Sequence, residues 1–106
     1  MSKIINIFCD FSKHPSGRFY EDGPYSGQKF REEYLIPALK EHSKFTIKID
    51  GVRGYGSSFL DEAFGGLVRK HGFSSSELHN RLVFTYDDEL YGMYEKEIWS
   101  YIDASK

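Results

Sequence analysis

The sequence predicts a single α/β domain over residues 1–106, with a mixed sheet of four to five strands and helices packed on one face. Three observations carry this. β-Branched and aromatic runs at 5–11, 45–49 and 81–86 are separated by segments whose apolar residues recur at helical spacing. A Pro/Gly turn signal near the N-terminus sets a hairpin ahead of the parallel strands. Aromatic residues make up 17% of the 106, enough to build one core from Phe and Tyr.

Ile5-Asn6-Ile7-Phe8-Cys9-Asp10-Phe11 alternates roughly with period two and reads as a half-buried strand. His14-Pro15-Ser16-Gly17 turns the chain, and Arg18-Phe19-Tyr20 returns as a short second strand. After the loop Asp22-Gly23-Pro24-Tyr25, Ser26 can cap a helix starting at Gly27, with Phe30, Tyr34, Leu35, Ala38 and Leu39 near helical spacing. Pro37 lies inside that pattern. It removes a donor and disfavours helix at Ile36, which predicts a kink or a break.

Phe45-Thr46-Ile47-Lys48-Ile49 is the clearest strand. Beyond a Gly/Ser turn, Leu60, Ala63, Phe64, Leu67, Val68 and His71 mark one face of a helix that Gly72 stops. Gly65-Gly66 weakens this helix by about 1 kcal/mol each relative to Ala, so close approach to a sheet or partner is expected there. Ser74 and Glu77 form a capping box for a short helix around Leu78. Arg81-Leu82-Val83-Phe84-Thr85-Tyr86 is a strand, and Asp87 is expected to cap a last helix with Leu90, Tyr94, Ile98 and Ile102 on one stripe. The order β-β-α-β-α-β-α predicts right-handed crossovers between parallel strands, with the hairpin as an antiparallel edge.

A net charge of −2 and a pI of about 6.1 provide no basic field for nucleic acid. No stretch is long enough to cross a bilayer and no signal peptide is legible, so a soluble, cytoplasmic protein is expected. The lone Cys9 lies in an apolar run and is expected to be a buried thiol in a reducing cytoplasm. The four histidines show no metal-ligand spacing, and no Ser-His-Asp order stands out. The expectation is therefore no metal, no cofactor and no catalytic residue. Tyr91, Tyr94, Trp99 and Tyr101 read as core and interface.

The stretch with functional content is Asp50-Gly51-Val52-Arg53-Gly54-Tyr55-Gly56-Ser57-Ser58-Phe59-Leu60-Asp61-Glu62. A strand, a Gly-rich turn and a helix start set hydroxyls and N–H groups at a positive helix end, outside the carboxyl end of the strand. The P-loop lysine is absent. One serine is expected to cap, and Ser58 fits because Asp61 follows three residues later, which leaves Ser57 as the freer hydroxyl. A second constellation, Arg18, Ser26 and Arg31, could clamp an anion or instead pair with carboxylates.

Ser57-Ser58 at a helix start after an apolar strand resembles the phosphorylation turn of STAS domains in anti-sigma factor antagonists. The wider pattern is similar to the STAS-like domain family of unknown function. It rests on Ser16-Gly17-Arg18-Phe19, Asp22-Gly23-Pro24-Tyr25-Ser26-Gly27, Phe30-Arg31-Glu32 and the run Gly54 to Leu67. The resemblance implies a STAS-like mixed sheet and a non-enzymatic regulator that docks on a protein partner, such as a histidine-kinase-like ATPase or anti-sigma-type kinase. It also implies a switch by serine phosphorylation, at Ser57 first and Ser58 second, with Tyr55, Gly56, Phe59, Asp61 and Glu62 as docking residues. Gly56 stands where the antagonists carry Asp. The competing expectation is a small nucleotide- or anion-binding domain using the same turn with Arg18 and Arg31. Oligomeric state is open.

Overall fold

The structure, a computed structural model, describes residues 3–105. Its sheet has three strands, β1 (Ile4–Asn6), β2 (Phe45–Lys48) and β3 (Leu82–Thr85), in the order β1-β2-β3 and all parallel. In register, Ile5 faces Ile47 and Ile47 faces Phe84. These three side chains, with Phe45 and Leu82, are buried. The alternate positions Ile4 and Val83 are exposed, so one face of the sheet is covered and the other is open.

Three strands replace the expected four to five, because the N-terminal hairpin does not form. The chain leaves β1 after Asn6 and winds into a π-helical turn, Ile7–Phe11. Asn6 causes this: its side chain accepts from the Cys9 N–H at 3.1 Å, while Asp10 accepts from the Asn6 N–H at 2.8 Å. Ile7 and Phe11, four apart, then point into the core together, and the same turn leaves Cys9, expected to be buried, exposed. Arg18-Phe19-Tyr20 is likewise no strand. The Asp22 carboxylate collects the N–H groups of Arg18 (3.2 Å) and Phe19 (2.8 Å) and curls the segment into the 3-10 turn Tyr20–Asp22.

Helix α1 covers residues 27–41 as one rod: Gly27–Phe30, a π-helical turn Arg31–Leu35, then Ile36–Glu41. Ser26 caps it, accepting from the Lys29 N–H at 3.2 Å. The predicted break at Pro37 is absent. A proline at this point cannot donate to the carbonyl four residues back, and the wider π turn immediately upstream accommodates the defect without ending the helix.

Helix α2 covers residues 57–71 in the same way, as Ser57–Leu60, a π turn Asp61–Gly65 and Gly66–His71. It ends at Gly72, whose φ of 78° is left-handed. There the N–H groups of Gly72 and Phe73 bond back to Val68 and Leu67. Helix α3 (Ser75–Arg81) is capped by Ser74, as expected, and helix α4 (Gly92–Ala104) follows β3. Asp88, one residue after the expected Asp87, caps the entry to α4 by accepting from the Leu90 N–H at 2.9 Å.

The core between sheet and helices is mainly aliphatic, with a connected set of aromatic rings through it. Phe30 packs on Phe11 (5.0 Å between centroids), Phe59 (6.0 Å) and Phe64 (6.1 Å), and Phe64 packs on Phe84 at 5.5 Å. Among the described residues no helix is long and apolar enough to cross a membrane.

Candidate functional site

The turn 49–56 leaves the carboxyl end of β2 and is fixed from several sides. Asp50 accepts from the Asp87 N–H at 2.7 Å, tying the ends of β2 and β3 together, and pairs with Lys48 at 2.9 Å. The Asp87 N–H, with Lys48, holds the Asp50 carboxyl below its usual range against the opposing effect of burial. Gly51 has φ 96°, with the Phe8 ring lying where a Cβ would sit. Tyr55 is buried and donates to the Ile49 carbonyl at 2.6 Å; burial is the main cause that pushes its phenol pKa up. Tyr91 donates to the Val52 carbonyl, and the Tyr94 hydroxyl lies beneath Gly54. Val52, Gly54 and Ser57 thus meet Tyr91, Tyr94 and Tyr101 in turn, so the segment runs along α4.

Helix α2 begins two residues earlier than the expected cap at Ser58 predicts. Gly56 is the N-cap, in extended conformation (φ −70°, ψ 145°), with Ser57 and Ser58 as the first two helical residues. Neither serine is the cap, and both are exposed. Ser58, already inside the helix, heads no capping box, and Asp61 is engaged elsewhere. Its carboxylate is held between Arg18 (2.8 Å) and Arg69 (3.0 Å). Burial raises the Asp61 pKa, but the two guanidinium groups outweigh it and keep the group below the usual carboxylate range.

Beneath this surface pair lies a buried one. Arg31, 1% exposed, donates to the Glu62 carboxylate at 2.7 Å and to the Glu62 carbonyl, with the Glu62 side chain 3% exposed. Arg18 reaches the other Glu62 oxygen at 3.4 Å. The Arg31 Nε–H donates to His71 Nε2 at 3.2 Å, which requires a neutral ring with its proton on Nδ1. Burial, with the Arg31 charge, pushes the His71 pKa down. Arg31 opens the π turn of α1, and Asp61 and Glu62 open that of α2, so the two widened turns face each other across the pair.

Three glycines make the space. A Cβ on Gly27 would lie 2.5 Å from the Phe59 carbonyl oxygen and 3.0 Å from the Ala63 nitrogen, so the helices touch backbone to backbone there. A Cβ on Gly66 would collide with the Arg31 guanidinium, and one on Gly65 would sit 2.6 Å from Arg69 and 2.8 Å from Asp61. The close approach predicted from Gly65-Gly66 is therefore to arginine side chains rather than to the sheet.

The predicted residues separate accordingly. Arg18 and Arg31 are brought together, but on carboxylates; Ser26 is buried as a cap. The first N–H groups of α1 are also occupied, Gly27 bonding to Gly17 O and Gln28 to Arg18 O, both at 2.9 Å. Of the docking residues, Tyr55, Phe59 and Glu62 are buried, which leaves Gly56 and the half-buried Asp61 at the surface beside Ser57 and Ser58. Sequence reasoning missed Arg69, His71, Gly27 and the burial of Glu62. One signal was available: Glu62 follows the core residue Phe59 by three and precedes Gly66 by four, a helical stripe on which a lone carboxylate calls for a partner.

Among curated proteins and among solved structures, nothing matches this chain. A STAS-like domain of unknown function is matched over residues 26–90. That span holds Ser26, Gly27, Arg31, Ser57, Asp61, Glu62, Gly65 and Gly66, the residues that build the helix crossing and the turn above it. The chain belongs to the STAS-like domain family of unknown function.

Proposed function

We propose that the protein is a non-enzymatic regulatory module that docks on a protein partner through the exposed part of the 54–62 turn and is switched by phosphorylation of Ser57. The observation that supports this reading is the placement of Ser57: an exposed hydroxyl at the first position of α2, relieved of capping by Gly56. Ser58 is the second acceptor. A phosphate there adds a charge of about −1.5 to −2, at a helix end that favours anions. Asp61, one turn further, opposes it less than a free carboxylate would, because Arg18 and Arg69 already neutralise it. The switch then acts at the docked surface, where a hydrated dianion opposes burial of the turn. The partner class that the family likeness supports is a histidine-kinase-like ATPase or anti-sigma-type kinase.

The test is recovery of the tagged protein with its partner from its own host, comparing Ser57→Ala and Ser57→Asp. The expected result is a partner retained by Ser57→Ala and lost with Ser57→Asp. A partner held equally by both variants would defeat the switch.

A further inference from the structure

The segment that enters α4 presents side chains the core does not use. Leu90 is 73% exposed and Met93 59%, the two most exposed large apolar side chains among the described residues. They are three apart, across the junction of the 3-10 turn Glu89–Tyr91 with α4, and so share a side. Their exposure is built in rather than a result of fraying. Asp88 caps the turn through the Leu90 N–H, the Tyr91 N–H bonds to the Asp88 carbonyl at 3.0 Å, and Tyr91 is anchored on Val52.

Around this pair the charge is mostly acidic. Asp87, Asp88 and Glu89 are all exposed. Lys48, 3.1 Å from Asp87, is shared with Asp50, Arg53 is the exposed cation of the adjoining turn, and Lys96, exposed three residues past Met93, follows the half-buried Glu95. The run stays net acidic. A second copy of this chain docking here symmetrically would set acidic run against acidic run, and an anionic lipid surface or nucleic acid would be repelled as well.

We propose that Leu90 and Met93, rimmed by Asp87, Asp88 and Glu89, dock a protein segment whose apolar side chains are flanked by lysine or arginine. This rests on the reading of the protein as an interaction module and adds the chemistry of its partner. The patch lies at one end of the turn that runs along α4, and Ser57, beside Tyr101, lies at the other. Met93 and Tyr101 are eight residues apart on α4, or about 12 Å at the helical rise. That exceeds a Debye length of about 8 Å at physiological salt, so the patch works independently of the charge on Ser57.

The test uses two labelled helical peptides of equal length, leucines on one face of each, with flanking lysines in one and glutamates in the other. Fluorescence anisotropy should show saturable binding of the lysine peptide alone, weakening with salt. Affinity should fall about tenfold or more with Leu90→Ser/Met93→Ser and lose salt sensitivity with Asp87→Asn/Glu89→Gln. The same affinity in Ser57→Asp supports a surface separate from the switch, so failure of either reading is distinguishable from failure of the other. Equal binding of both peptides, binding of neither, or a double serine variant indistinguishable from wild type would overturn the proposal. So would a concentration-dependent dimer in sedimentation velocity that Leu90→Ser/Met93→Ser abolishes.

Discussion

Replacing Glu62 by Gln tests how the two helices are held. In the native protein Arg31 is 1% exposed and faces a carboxylate that is 3% exposed. The substitution keeps the shape and the backbone carbonyl acceptor but removes the buried counter-charge. His71 and the Glu62 carbonyl remain as neutral acceptors, and Glu32, at 3.5 Å, is a half-exposed substitute. Removing one partner of a buried pair costs about 3–5 kcal/mol, and the surviving acceptors place this case near the lower end, about 3 kcal/mol. A domain of this size loses about 4–8 °C of Tm per kcal/mol, so a drop of about 12–24 °C is expected. Urea unfolding followed by the single tryptophan is the assay, since Trp99, half-buried against the core, packs edge-on to Phe84 at 5.3 Å. The double variant Arg31→Met/Glu62→Leu removes both charges and should recover most of the loss, to within about 1–2 kcal/mol of wild type. A Glu62→Gln protein within about 0.5 kcal/mol of wild type would refute the reasoning.

Gly27→Ala should destabilise by about 1–3 kcal/mol in the same assay. The new methyl meets α2 backbone atoms at 2.5 Å and 3.0 Å, which cannot swing aside, and this outweighs the helix-propensity gain of about 1 kcal/mol. Stability should also fall with acidification beginning near the ordinary histidine pKa of about 6.5. His71 is depressed in the fold, so the unfolded chain takes up its proton first; the stabilisation is complete above that pH and is lost as pH falls through the folded value. His71→Gln should flatten the slope in that window while leaving the separate loss at carboxylate pH, to which Asp50 and Asp61 contribute, in place.

What was legible in the sequence was local. Ser26, Ser74 and Gly72 act within a few residues of themselves, and each ends a helix where its chemistry says it should. The strand expected at 5–11 failed because Ile7 and Phe11 satisfy helical spacing as well as alternation, and Asn6 with Asp10 decides between them by capping. Pro37 misled because a π turn absorbs a defect that an α-helix cannot. Capping does not set Ser57 apart from Ser58 as expected: Gly56 is the cap, both serines are exposed, and Asp61 belongs to Arg18 and Arg69. The pairing of Arg31 with Glu62 joins residues 31 apart. The helical stripe marks Glu62 but does not name its partner, and only the crossing of α1 and α2, made possible by Gly27 and Gly66, brings the two together.

The central claim is that Ser57 carries a regulatory phosphate. Its most direct test is phosphosite mapping by mass spectrometry on the protein isolated from its own host, across growth conditions. The account predicts a phosphate on Ser57 in at least one condition, with Ser58 as the only secondary site in the turn. Full coverage of residues 54–62 with neither serine ever modified would contradict it.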